Sequence, residues 1–358
     1  MGTVTVDIAP AATFANPWAF NFLPDGRMLV TDAFAGLRIV TQLGVKSEAA
    51  SGLPADLNVP YDVVPSPSYA TDHTIFLSYS ELGPGGVRLT PQSTTSNPIS
   101  AGLAVLSATL ATPVAGPPAL TNVKTIWRQT PKNGAAGEYG GKLAFSPDGK
   151  YLFITAGDRS TFTGAQQLEN TLGKIVRIFP DGTIPADNPG AGKPGVAPEL
   201  WSLGHRNSYG LAFDVTGQLW ESEHGPAGGD EFNLIDFGAN YGWPTVSLGN
   251  NYDGGLIQKP SSTDPFNGTK IDWTPTIAPA GMIFYKASLF RSWQNDAIVG
   301  GLQSKGLVIV RTSGRSASEL DRLPLNARIR DVRQAPDGAI WVLEDSPTGR
   351  LLRLTPAG

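Results

Sequence analysis

The sequence predicts an all-β fold, a six-bladed β-propeller of four-stranded antiparallel blades, on three observations. A hairpin phrase recurs along the whole chain, the composition favours short strands and tight turns, and helix signals are scarce. The phrase is an apolar pair, a Pro-Asp-Gly turn, then an alternating strand ending in a small or acidic residue. Clear copies run over Phe22–Asp32, Ala144–Asp158 and Arg333–Asp345, with turns at Pro24-Asp25-Gly26, Pro147-Asp148-Gly149 and Pro336-Asp337-Gly338. Degenerate copies fall at Val63–Tyr79, Ala212–Trp220 and Ile283–Gly300. Proline presets φ, aspartate caps the turn and glycine takes positive φ, so each copy reads as a hairpin. Six hairpins at roughly 40–80-residue spacing suggest six blades. A β-sandwich with frequent turns is the competing architecture.

The remaining elements follow from composition. The 358 residues include 42 Gly and 30 Pro, with 41% hydrophobic and only 16% charged side chains. A closed all-β array can run this long as one unit, so residues 1–358 are read as a single domain. Gln166–Leu172 is the best short-helix candidate, ahead of a strand at Lys174–Phe179. Leu82–Ser100 and Ser247–Thr274 read as long connections, which in a propeller gather at the mouth of the central funnel. The net charge of -4 offers no electrostatic support for a nucleic-acid or anionic-membrane partner. No run approaches the roughly 18 apolar residues of a membrane span. The chain has no cysteine, which removes disulfides and thiolate chemistry. Its start, Met1-Gly2-Thr3, does not read as a secretory leader, leaving a cytosolic terminus and a trimmed leader both open.

Polar density marks the functional region. Leu203–Leu211, Glu221–Phe237 and Gly238–Pro244 pack an Arg-Asn pair, two imidazoles, several carboxylates and many glycines into about forty residues of otherwise strand-like sequence. Buried polar groups need partners, so this density points to a ligand or metal site built on loops. Of the three histidines, His205 reads as structural and His73 as solvated, and the set is too scattered for a histidine metal centre. Nucleophile-elbow, zincin, phosphate-loop and dinucleotide fingerprints are absent.

A family resemblance covers about Asn16 to Leu354. Asn16-Pro17-Trp18, Gly140-Gly141-Lys142-Leu143, Leu172–Ile178, Gly182–Pro189, Gly204–Asn207, Glu223–Pro226, Asn240–Pro244 and Arg328–Val332 are similar, in order, to the soluble glucose/aldose sugar dehydrogenases. Members of that family are six-bladed propellers that use pyrroloquinoline quinone (PQQ) and calcium, typically periplasmic or secreted. The resemblance implies that Arg206 and Asn207 face the quinone, with His224 beside it, while Arg328 and Arg330 hold carboxylates. On a strand, i and i+2 share a face, so the last two can converge on one anion. A surface ion pair, with Asp331 as the nearest acid, is the other reading of those arginines. Gly225 and Pro226 match the carbonyl ligands of the cofactor calcium, and Glu231 and Tyr241 match a second calcium site found in some members.

The chain departs from the family at the chemistry. The catalytic histidine position is Glu138, and the acid that would orient that histidine is Asp158, making a Glu–Asp pair. Two close carboxylates resist double ionisation, so one should hold a proton. The family's active-site glutamine is lost in Asp56–Asp62. Its cofactor lysine is replaced by Gln303, with Lys305 two residues on as the substitute. The resemblance implies a PQQ- and calcium-dependent dehydrogenase that oxidises a sugar or other alcohol with Glu138 as base, Arg206 stabilising the developing oxyanion and an external electron acceptor, as monomer or homodimer. A calcium-dependent hydrolase or lactonase, and a silent propeller binding a small molecule or protein, remain the alternatives.

Overall fold

The computed structural model describes residues 5–88, 90, 100–112 and 117–357. Six antiparallel sheets stand around one axis. Blade 1 contains Pro17–Phe22, Met28–Asp32 and Gly36–Val40. Its fourth edge is irregular: Lys46 bridges Val40, and the amides of Ser47 and Ala50 donate to the carbonyls of Ile39 and Leu37. Blade 2 contains Leu57–Pro65, Thr74–Leu82, Ala101–Ala111 and Ala119–Arg128. Blade 3 follows with Gly140–Phe145, Leu152–Ala156, Lys174–Ile178 and Leu200–Leu203, and blade 4 with Ser208–Phe213, Leu219–Glu223, Asp230–Leu234 and Ile271–Trp273. Blade 5 holds Pro279–Phe284, Ala297–Gly301, Gly306–Ser313 and Ser316–Pro324. Blade 6 takes Ile329–Gln334, Ile340–Glu344 and Gly349–Pro356 from the C-terminus, and its outermost strand, Val6–Phe14, from the N-terminus. The six-bladed reading holds, and every recurring phrase joins the innermost strand of a blade to the second.

Alternation along the strands explains the packing. Met28 and Val30 lie in the apolar cluster shared with blade 6, while Leu29 between them lies in the cluster shared with blade 2. Trp341 and Leu343 face blade 1, and Ile340 and Val342 face blade 5. Six such clusters fill the six junctions between neighbouring blades. Sheets covered on both faces carry near-continuous apolar strands, and second strands such as Leu152–Ala156 and Ile340–Glu344 are buried along their whole length.

Two details differ from expectation. The short helical turn is a 3-10 turn at Thr163–Gln166, and 167–172 continue as bends instead of helix. Asn170 there uses its side chain to accept from Leu172 N (2.9 Å), a local bond that competes with a helix. The Leu82–Ser100 connection does join two strands of blade 2, but 89 and 91–99 lie outside the described residues.

The axis is closed by buried charge. Lys142 Nζ lies 2.9 Å from Asp331 Oδ1 and 3.5 Å from Asp62 Oδ1. Arg333 reaches the same two acids at 3.0 and 3.1 Å. The remaining oxygens accept Leu143 N and Phe20 N, so innermost strands of blades 1, 2, 3 and 6 meet in one neutral quartet. A methyl on Gly281 would stand 2.0 Å from Asp331 Oδ1, which explains glycine there. Lys142→Met should leave two buried acids sharing one cation and cost about 3–5 kcal/mol. A urea midpoint unchanged in that variant would contradict the role assigned to the quartet.

Candidate active site

Above the quartet, the chain segments that lead into the innermost strands of blades 3, 4 and 6 meet at the mouth. Glu138 precedes the first strand of blade 3, and Asp158 follows the second. Arg206 and Asn207 precede the first strand of blade 4, and His224 follows its second. The structure brings all five together.

Glu138 is ion-paired with Arg206 Nη2 through one carboxylate oxygen, and its other oxygen accepts from Ser160 Oγ at 2.6 Å. Ser160 N donates to Asp158 Oδ1 at 2.9 Å, so one serine joins both acids. Asp158 is fully buried and also accepts from Trp243 Nε1 at 2.7 Å. Burial first, then the charge of Glu138, raise its pKa to about 7, despite the Trp243 and Ser160 hydrogen bonds. The expected proton-retaining carboxylate is therefore Asp158. The backbone here is unusual, with Glu138, Arg159, Ser160 and Phe162 all at φ between 50° and 56°. Non-glycine residues are held in that region at a cost, and such residues cluster at functional sites.

Arg206 links these acids to the next turn. Its Nη1 donates to Gly225 O at 2.9 Å, its backbone N donates to Glu223 Oε2 at 2.6 Å, and Nε is buried without a partner. Asn207 ties blade 3 to blade 4 by accepting from Gly140 N at 3.1 Å. His224 Nε2 donates to Pro279 O at 2.8 Å, which leaves Nδ1 unprotonated in the neutral ring. Burial, with Arg330 and Arg206 nearby, lowers its pKa to about 4, so it stays neutral across the physiological range. Its ring meets Tyr209 edge-on at 5.1 Å, and the Arg330 guanidinium lies 5.6 Å from the Tyr209 centroid.

Arg328 and Arg330 do converge on one anion, the Asp345 carboxylate, at 2.6 and 2.7 Å. Asp331 is not their partner, because consecutive strand residues face opposite ways and Asp331 turns to the quartet. Gln303 and Lys305 are both exposed in the turn that follows Ala297–Gly301, and no hydrogen bond or ion pair of theirs joins them to the Arg206 cluster.

The metal candidates share a space. A cavity of about 10 Å³, room for one water-sized body, is lined by Arg206, Glu223, Gly225, Pro226, Glu231 and Tyr241 among others. Asp230 fixes the Gly225–Pro226 turn by accepting from Gly225 N (3.0 Å) and Ala278 N (2.7 Å). The Tyr241 hydroxyl is already engaged, donating to Leu234 O and accepting from Asp236 N, so only its backbone oxygen is free to ligate. Behind the cavity, His205, Glu221 and Glu223 offer ligand atoms within 4.8 Å of one another. Burial opposes charge on His205, but its hydrogen bonds to Glu221 and Glu223 outweigh that and raise its pKa to about 9. Burial and the charge of Glu223 push Glu221 up to about 7 and Glu231 to about 8. His205 is thus structural, as the sequence suggested, and His73 is exposed at a helix end.

Sequence reasoning missed Ser160, Trp243 and Arg159. Only the Asp158-Arg159-Ser160 adjacency hinted at the first and last; Trp243 lay inside the Asn240–Pro244 motif, but nothing there pointed to its bond with Asp158.

The model of the glucose/sorbosone dehydrogenase family matches residues 14–353. The chain is 37% identical to the aldose sugar dehydrogenase YliI of Escherichia coli over 360 residues, covering 95% of this chain and 90% of that one. It is 30% identical to quinoprotein glucose dehydrogenase B of Acinetobacter calcoaceticus over 58% of each chain. The crystal structure of the soluble E. coli aldose sugar dehydrogenase in its apo form superposes with a TM-score of 0.88, covering 99% of this chain and 100% of that one at 36% identity.

The raised pKa of Asp158 has a measurable consequence. Between about pH 4 and pH 7 the native state holds a proton that the unfolded chain has lost, so this residue's contribution falls as pH rises through that window and is flat above it. The melting temperature of Asp158→Asn relative to wild type should therefore shift in the variant's favour as pH rises from about 4 to about 7 and stay constant above it, whatever offset the amide adds by facing one of the two N–H donors. A gap independent of pH would contradict proton retention at Asp158.

Proposed function

The chain belongs to the glucose/sorbosone dehydrogenase family, and from that premise we propose that it oxidises a sugar or related alcohol with PQQ and calcium, using Glu138 as base. The observation that carries the reading is the convergence of Glu138, Asp158 and Arg206 beside the Gly225–Pro226 turn. The surroundings suit a planar polyanion. Arg206 Nε is a buried donor with no partner. Arg328 and Arg330 share a single acid, so their wall carries one net positive charge. Guanidinium forks match carboxylates bidentately. Arg206, Asn207, His224, Arg328 and Arg330 would hold PQQ, and the Gly225 and Pro226 carbonyls would hold its calcium; Glu231 and the Tyr241 backbone, the expected ligands of a second ion, line the same one-body cavity, so a second ion would need that space to widen. When bound, the quinone supplies a two-electron acceptor and the metal a Lewis acid.

The protein's own groups handle the proton. Glu138, paired with Arg206, is placed to accept the substrate hydroxyl proton. Ser160 keeps that carboxylate in register with Asp158, and the proton on Asp158 relieves repulsion within the pair. Asp158 changes charge near pH 7 beside Glu138, so the kcat–pH profile should carry a limb at about pH 7 that is lost in Asp158→Asn. Electrons then leave to an external acceptor, and a periplasmic or secreted location accords with the family.

Reconstitution with PQQ and calcium, followed by a dye-linked assay over aldoses and simple alcohols, tests the proposal. Glu138→Gln should lower kcat by about 10²–10⁴-fold while PQQ affinity stays within a few-fold. Full turnover in that variant would refute the base assignment. Calcium should raise the melting temperature of the PQQ-loaded protein, and chelation should reverse the rise, because a ligand bound only by the native state stabilises it. Melting indifferent to calcium would remove both metal sites.

A further inference from the structure

Arg159 is a buried guanidinium with no ion pair among the described residues. It is 1% exposed, follows Asp158 directly and sits at φ 54°. All but one of its hydrogen bonds and ring contacts lead to one segment, the exception being a long bond to Ala101 O. Nη1 donates to Gly137 O, Nη2 donates to Ala135 O at 2.6 Å and Ala101 O at 3.5 Å, and the backbone N donates to Glu138 O at 3.3 Å. Its own carbonyl accepts from Asn133 Nδ2 at 3.0 Å, and its guanidinium lies 3.4 Å over the Tyr139 ring. Asn133, Ala135, Gly137, Glu138 and Tyr139 are thus all held by one residue.

The segment's other holds lie at its two ends and on the Glu138 carboxylate: Ala135 N donates to Asn133 Oδ1, Gly157 N donates to Tyr139 O at 3.0 Å, the Tyr139 ring is buried in the apolar cluster, and Arg206 and Ser160 meet the carboxylate. Between the Asn133–Ala101 bridge and the strand that begins at Gly140, the chain forms neither helix nor strand. Gly157 permits the close approach, since a methyl there would stand 2.0 Å from Glu138 O. Burying a cation against carbonyls alone is expensive, and burial lowers the Arg159 pKa accordingly. A planar fork that can span two carbonyls while lying flat on a ring is a guanidinium property that an ammonium lacks.

We propose that Arg159 is the positioning residue for Glu138: by clasping the Ala135 and Gly137 carbonyls and stacking on Tyr139, it fixes where the Glu138 carboxylate stands between Ser160 and Arg206. Its catalytic importance rests on the dehydrogenase reading above; its hold on the segment does not. Asp158 and Ser160 follow from the same stretch of chain, so one residue couples the two acids across blade 3. Arg159 touches neither substrate nor cofactor in this scheme.

Two arms test this in the full chain. The first needs no turnover: with ¹³C-carboxyl-labelled Glu and Asp, NMR titration follows the Glu138–Asp158 pair in wild type, Arg159→Lys and Arg159→Met. Loss of the clasp should loosen the pair and move the raised Asp158 titration down towards the ordinary carboxylate range. Unchanged titration in both variants would overturn the proposal. The second arm uses the PQQ- and calcium-loaded protein. Both variants should lose about 100-fold in kcat with KM and PQQ affinity within threefold, since small misplacement of a reacting group has an effect of that size. Arg159→Met combined with Glu138→Gln should be no slower than Glu138→Gln alone. Additive losses, or a kcat within twofold of wild type, would again overturn it. If wild type turns over no sugar, the dehydrogenase reading fails and the titration alone decides on Arg159. If Arg159→Met does not fold, Arg159→Lys and Tyr139→Leu, which removes the stacking surface, are held to the same outcomes.

Discussion

Ring closure is the constraint on which everything else here depends. Each sheet is apolar on both faces, so an open ring would leave two faces in water at the gap. The antiparallel pairing of Val6–Phe14 with Gly349–Pro356 removes that gap by building one blade from both chain ends. Phe14 then joins Phe20, Met28 and Trp341 in the junction between the last blade and the first. Only in a closed ring do the innermost strands of blades 1, 2, 3 and 6 come near enough for Asp62, Lys142, Asp331 and Arg333 to neutralise one another.

The site inherits its character from this rigidity. Loops that leave well-packed strands carry the acids and the arginine, and several of them hold strained backbone that a looser frame would relax. Two carboxylates are forced together where one alone would ionise freely, and the structure answers with one arginine on Glu138 and one retained proton on Asp158. The His205–Glu221–Glu223 cluster behind the Gly225–Pro226 turn repeats the pattern, with carboxylates outnumbering cations and protons making up the difference.

Legibility followed the range of each interaction. Pro-Asp-Gly turns are local chemistry, and all the hairpins they marked are present, including the degenerate ones. Glu138, Asp158 and Arg206 were visible because each lies within a recognisable run, although the two acids flank blade 3 and the arginine leads into blade 4. The roles of Ser160, Arg159 and Trp243 were not, since the bonds that bring them to Glu138, Ala135 and Asp158 span 22, 24 and 85 residues and no spacing rule connects them. Arg328 and Arg330 meet on one carboxylate, Asp345; the alternative ion-pair reading named Asp331 instead. Asp345 becomes their neighbour only through the register of the blade 6 hairpin, in which Ile329 pairs with Glu344.

The Asp62–Lys142–Asp331–Arg333 knot also limits where the mouth can give. With both acids sealed from solvent and the lysine lying 4.9 Å over the Trp18 ring, the hub beside blades 1, 2, 3 and 6 is filled by side chains that hold one another by charge. The mouth therefore has a fixed floor on that side, and any adjustment to a visitor falls to the loops above it.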